Sequence, residues 1–350
     1  MSAHAALWQR LSLAGVVSGD PPADPPATDP WYVTAMVGTA AWIAAVFLLV
    51  FVGIGLASLV RSPASSLVVG VVICTGAVVV LRLAGVSLFL RQFAVACSLA
   101  GQALVAFGIL DRDMHGAASW FGVALFEAAL VAAVPDATHR VLATVASAVA
   151  LRVALIAAGA AWLFAPLLVA GLAATYVASV RMPARDALWS PLLTGIGLTV
   201  LLLVPLALVD DLLWYGVREA ATRVTRPAAS VLLGLAWLAA VAALAHAAGM
   251  RSSSRSAALL ALGALAVAAT AWPVPNVVVA ITLLLVAFAG GRNVLAGLAV
   301  LAILGALGHA YYALQWSLLA KAAALAATGV VLLAGAALAR MPAGAEDSDA

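Results

Sequence analysis

One acidic residue stands deep inside an apolar run of this 350-residue chain: Glu127, in SWFGVALFEAALVAAV. An arginine, Arg152, interrupts the next run, VASAVALRVALIAAG. A charge in an apolar interior is costly and should face a partner or water. With a helical rise of about 1.5 Å per residue, Glu127 lies roughly 12 Å from Pro135 and Arg152 roughly 18 Å from Arg140. A long arginine that leans back closes a difference of about 6 Å. The two segments are consecutive and antiparallel, so a buried Glu127–Arg152 ion pair is expected, with energetic coupling between the two residues. Gln102, ten residues inside Gln92, lies at similar depth and is expected to add a hydrogen bond. Such a group either fixes helix packing or carries protons or a small solute.

A second polar set gathers near the last apolar run. Lys321 is nineteen residues from Arg340 and so belongs near the opposite face. Asp210 and Asp211 end an earlier run on that face, and His309, Tyr311, Tyr312 and Trp316 fall there too. An outer polar and aromatic cluster around Lys321 is expected, against the alternative of a lysine that snorkels to the headgroups. His246 and His309 read as packing or interfacial residues, and His139 beside Arg140 as a loop pair at the inner headgroups. The two cysteines, Cys74 and Cys97, sit inside apolar runs without metal-ligand or disulfide spacing. They read as buried thiols that pack as small hydrophobes. No phosphate loop, zinc motif or nucleophile elbow is present. The expectation is no enzyme, no cofactor and no metal.

These residues need elements to hold them, and composition says which. Apolar residues make up 66 % of the chain and charged residues 9 %, with mean hydropathy +1.17. Soluble domains carry roughly 25 % charge. Too few polar groups remain to coat a water-facing surface, so lipid is the solvent. A bilayer core needs about 20 apolar residues per helix, and its backbone groups must be bonded internally. Barrel strands alternate polar and apolar residues, whereas these runs are continuously apolar. The expected fold is all-α and polytopic, with about 12 transmembrane helices. The spans are 32–60, 65–81, 92–110, 117–134, 140–158, 160–180, 189–209, 228–248, 256–272, 276–290, 293–310 and 317–339. The cuts near Gly159 and at Pro273–Pro275 are tight; without them the count falls to eleven or ten.

Residues 1–30 form an N-terminal segment before this domain. Leu7, Trp8, Leu11 and Ala14 recur at helical spacing with Gly15 as the stop, followed by the Pro-rich linker PPADPPATDP. Residues 31–340 form the transmembrane domain and 341–350 a disordered tail. The run that starts at Trp31 is expected to act as an uncleaved anchor. Orientation follows the loop arginines. One side carries Arg10, Arg82, Arg91, Arg140, Arg181, Arg185, Arg251, Arg255, Arg292 and Arg340. The other carries Arg61, Arg112, Arg218, Arg223 and Arg226. Ten against five places both termini in the cytoplasm. The connection 210–226 reads as an interfacial helix. Basic residues sit singly, with a net charge of +3, so nucleic acid is not an expected partner; the lipid bilayer is, and no soluble partner is evident.

Several segments together carry a resemblance. They are LWQRLSLAGVVSG, PWYVTAMVGTAAWIAAVFLLVFVG, RQFAVACSLAGQALVAFGI, PDATHRVLATVASAVAL and YYALQWSLLAKAAALAATGVVLL. The chain resembles an uncharacterised bacterial integral membrane family, a domain-of-unknown-function group whose members accompany a second membrane protein with a GDYXXLXY motif. Tyr311, Tyr312, Ser317, Leu318, Leu319 and Lys321 are similar to the family's tail pattern, while Ala322 stands where a serine is expected. The resemblance implies a polytopic inner-membrane protein with a membrane partner and implies no activity. The expected function is a non-enzymatic component of a membrane complex. The alternative is a small-solute or proton-coupled transporter that uses Glu127 and Arg152.

Overall fold

The computed structural model describes residues 3–20, 30–55, 62–83, 85–111, 113–202, 215–250, 255–269, 275–313, 317–320, 322–323, 326 and 329–330. Among the described residues the fold is all-helical, without strands. The helices are α1 (Ala3–Leu13), α2 (Trp31–Gly55), α3 (Pro63–Arg82), α4 (Leu88–Leu110), α5 (Ala117–Ala133) and α6 (Ala137–Ala157). They continue with α7 (Phe164–Arg181), α8 (Asp186–Leu201), α9 (Tyr215–Ala247), α10 (Arg255–Ala269), α11 (Pro275–Ala289) and α12 (Asn293–Ala313). Among the described residues, five segments are long and apolar enough to cross a membrane: Pro63–Arg82, Leu88–Leu110, Ala137–Ala157, Ala161–Arg181 and Pro227–Ala247. Met36–Phe47, Ala117–Ala133, Ala257–Ala269, Pro275–Ala289 and Asn293–His309 are shorter apolar stretches.

Local chemistry sets the ends. Ser62, Ser87 and Asp136 cap α3, α4 and α6 by accepting from the backbone N–H three residues on. Gly15 follows α1 at φ +67° and closes it as the sequence predicts. The tight cut near Gly159 holds two helices. Gly159 adopts φ +69°, Ala160 N–H donates to Leu155 O at 2.7 Å, and one 3-10 turn (Ala161–Leu163) leads into α7. Of the expected interfacial helix over 210–226, the described part is helical and continuous with the next span. From Tyr215 the chain is already helical and runs on through Pro227 into α9 without a break. Asp210 and Asp211 lie outside the described residues.

The largest core joins α7, α8, α9, α11 and α12 around Leu168, Leu172, Leu193, Trp237, Leu283 and Leu295. Helices α3 and α4 approach so closely that a Cβ on Gly70 would fall 2.7 Å from Gly101 O, and one on Gly108 2.7 Å from Pro63 O. Small residues at such crossings are the usual packing device in lipid. The outward surface is apolar: Phe47, Leu125 and Phe288 are 70 %, 70 % and 83 % exposed. Ser66, Ser98, Gln102, Glu127, His139, Thr199 and Thr282 are buried instead. Apolar outside and polar within is the arrangement for a lipid-facing bundle; the chain is a membrane protein in this sense.

Candidate functional site

Glu127 lies on the buried face of α5 with Val123, Ala124, Leu130 and Val131, and is 3 % exposed. Its Oε2 is buried and has no hydrogen-bond partner among the described residues. Ser147 Oγ on α6 donates to Ala124 O on α5 at 2.9 Å, which fixes the register of this antiparallel pair. Glu127 is three residues from that level toward one end, and Arg152 is five residues from it toward the other. They are therefore separated by about 12 Å along the helices. Arg152 leans away, its guanidinium 5.4 Å from the ring centroid of Phe164 at the start of α7. The structure does not bring the predicted pair together. The reason lies in the helix ends. Helix α6 begins at Ala137 rather than Arg140, and α5 ends at Ala133, two residues short of the Pro135 from which depth is counted. Both changes carry Arg152 farther from Glu127.

Gln102 keeps its predicted depth but has other partners. Gly122 of α5 packs against Ile109 of α4, and that register sets Glu127 within roughly 3 Å of the Gln102 level. The Gln102 side chain bonds within α4 and across to α6. Its Nε2 donates to Ser98 Oγ at 3.3 Å and lies 3.0 Å from His139 Nε2. Ser98 Oγ is 2.9 Å from the same ring nitrogen. His139 is 0 % exposed, so it is a buried core residue and not a loop residue at the headgroups. Asp136 produces this placement. As the α6 N-cap its Oδ1 accepts from His139 N–H at 2.9 Å, and this brings the imidazole into the first turn. With the Gln102 amide donating to Nε2, the ring proton sits on Nδ1, which is buried with no hydrogen-bond partner among the described residues. The readable signals were the Asp136-to-His139 capping interval and the Ser98/Gln102 pair one turn apart on a single face.

Polar side chains elsewhere tie helices together. Cys74 Sγ approaches Ser98 O at 3.5 Å, Ser66 Oγ donates to Leu104 O, and Trp237 Nε1 donates to Ala264 O. Trp42 Nε1 donates to Gln92 Oε1 at 3.2 Å and joins α2 to α4. Cys74 is buried as expected, whereas Cys97 is only partly so. A cavity of about 150 Å³ between α3 and α5 is lined by Val71, Cys74, Thr75, Val78, Phe126 and Leu130. Glu127 is not among its lining residues.

One end of the bundle collects arginines. Arg82 at the end of α3 donates to Ala133 O, the last carbonyl of α5, at 2.8 Å. Arg91 lies 3.7 Å from Asp136. Arg140 donates to Val131 O and to Ala187 O. Arg292 donates to Ser190 Oγ at 2.6 Å and to Asp186 Oδ1 at 3.2 Å. Arg181 ends α7 and Arg185 precedes α8 in the same layer. Cations over helix C-terminal carbonyls satisfy groups that the helix leaves open.

At the other end, His309, Tyr311 and Tyr312 occupy the last turns of α12. The two tyrosine rings meet edge to face with centroids 5.5 Å apart, and Tyr312 is 82 % exposed. Lys321, Asp210 and Asp211, the other members of the predicted outer cluster, lie outside the described residues, as does Trp316. Among the described residues no group of three or more His, Cys, Asp or Glu could hold a metal ion.

A family model described as Domain of unknown function (DUF4401) matches residues 30–340. No curated protein and no solved structure matches the chain. The match covers most of the sequence, and the chain belongs to this family.

Proposed function

We propose that this member of the DUF4401 family is a multi-pass protein of a bacterial cytoplasmic membrane that acts as a non-enzymatic component of a membrane complex. It has about twelve spans and both termini in the cytoplasm. One observation carries the reading. Several polar side chains inside the described helices bond across to neighbouring helices. His139, Ser98 and Gln102 join α4 to α6, Ser147 joins α6 to α5, and Ser66 joins α3 to α4. Such contacts build a rigid scaffold in lipid. The partner proposed is a second membrane protein of the GDYXXLXY type, on the strength of the sequence resemblance. Affinity purification of the tagged chain from native membranes in mild detergent tests it. Co-recovery of a stoichiometric membrane protein with that motif is expected, and recovery of the chain alone contradicts the reading.

A second reading, proton-coupled or small-solute transport, has one observation in its favour. A ladder of polar groups rises from Arg91 and Asp136 at one end through His139, Ser98 and Gln102 to the depth of Glu127. Two buried atoms on it, His139 Nδ1 and Glu127 Oε2, are open to a further partner. Ionisable groups at membrane depth mark such pathways. Proteoliposomes containing the chain should then conduct protons or solute, and Glu127→Gln should abolish the flux. Flux that is unchanged in this variant removes the transport reading.

A further inference from the structure

We propose that the arginine-rich end of the bundle, at the turn between α7 and α8, binds the phosphate headgroup of an anionic phospholipid. The inference goes beyond the complex-component reading and is tested on the isolated chain. Among the described residues this layer includes Arg82, Arg91, Arg140, Arg181, Arg185 and Arg292. The contacts already described join Arg82, Arg91, Arg140 and Arg292 to the ends of α5, α6 and α8. Among the described residues, Asp136 and Asp186 lie in this layer, and each is engaged: Asp136 by Arg91 and Asp186 by Arg292. Arg82 and Arg140 are directed to backbone carbonyls. Arg181 and Arg185 are left, both exposed and with no carboxylate partner among the described residues. They flank the three residues Met182, Pro183 and Ala184, where a 3-10 turn over Pro183–Arg185 fixes the backbone. Two guanidinium groups on one short, preformed turn can grip a single phosphate through paired N–H donors.

Depth decides what brings the phosphate. Arg181 is the last residue of an apolar helix and Arg185 immediately precedes another, so both guanidinium groups lie where a membrane places its headgroups. Partly exposed apolar side chains lie beside them: Val180 is 47 % exposed and Met182 39 % exposed. A phospholipid presents acyl chain and phosphate together at this boundary. An acidic segment of a soluble protein would match the charges and leave these apolar groups uncovered.

The test uses native mass spectrometry of the full chain in mild detergent, titrated with phosphatidylglycerol or with phosphatidylcholine of the same acyl chains. Phosphatidylglycerol should bind at least about tenfold more tightly than phosphatidylcholine. Replacing both arginines (Arg181→Gln with Arg185→Gln) should weaken it on the order of thirty-fold, from two near-surface cationic contacts. The paired lysine changes (Arg181→Lys with Arg185→Lys) should keep most of the preference, which separates lost charge from lost fold. Equal binding of the two lipids, or undiminished phosphatidylglycerol binding in the double glutamine variant, overturns the proposal. Displacement of the lipid by millimolar inorganic phosphate assigns the turn to a free anion and overturns it as well.

Discussion

Gly101 is a position where the packing of this bundle makes a sharp quantitative demand. It sits on α4 at the crossing with α3. A Cβ placed there would fall 2.7 Å from Cys74 Sγ, 2.9 Å from Gly70 O and 3.1 Å from Cys74 N. Two of those three obstacles are backbone, so no rotamer change relieves them. The helices must separate by roughly half an ångström, which weakens dispersion along the whole crossing. Overpacking of this kind costs about 1–3 kcal/mol, offset by about 1 kcal/mol of helix propensity that alanine gains over glycine. Gly101→Ala should therefore destabilise the protein by up to about 2 kcal/mol. Gly122 on α5 supplies the control. A Cβ there meets only Ile109 Cγ2, at an ordinary 3.7 Å. Gly122→Ala should be neutral or stabilise by up to about 1 kcal/mol. Reversible unfolding of both variants in mixed micelles measures the difference, and the two should shift in opposite directions. Equal shifts, or a stabilised Gly101→Ala, would refute the close α3–α4 crossing.

Three further outcomes are expected. A double-mutant cycle of Glu127→Gln with Arg152→Gln should be additive within about 0.5 kcal/mol, given the axial separation set by Ser147 and Ala124; coupling well above 1 kcal/mol would restore the ion pair read from sequence. His139→Ala removes the shared partner of Ser98 and Gln102 and leaves a hole, so a loss of about 2–4 kcal/mol is expected in the same unfolding assay; an unchanged midpoint would mean that the cluster does not hold α4 to α6. Arg292→Gln breaks an ion pair whose Asp186 side chain is 57 % exposed, so the loss should stay within about 1 kcal/mol, and a larger loss would show that the pair is shielded from solvent.

The sequence makes the helices legible because each apolar run is long and bounded by groups with one structural reading. Gly159 divides α6 from the 3-10 turn before α7, and Ser62 followed by Pro63 marks the start of α3. Depth along a helix is partly legible, as Gln102 at the level of Glu127 shows. Rotation and exact ends are not. Counting α6 from Arg140 instead of the Asp136 cap left His139 outside the span, although that cap carries it into the core. The same displacement made Arg152 look close enough to reach Glu127. Partners across helices depend on which face each helix presents. Runs apolar all round, such as α5 and α11, carry little of that information in one sequence.

The central claim is a bundle that crosses the membrane repeatedly with its arginine-rich end in the cytoplasm. Single-cysteine labelling tests it most directly. In a Cys74→Ala, Cys97→Ala background, one reporter replaces Arg185 at the α7–α8 turn and another replaces the exposed Asp113 at the α4–α5 turn. A membrane-impermeant maleimide applied to intact cells should label the Asp113→Cys protein, and label Arg185→Cys only after permeabilisation. Labelling of Arg185→Cys from outside, or of both reporters from the same side, would contradict the account.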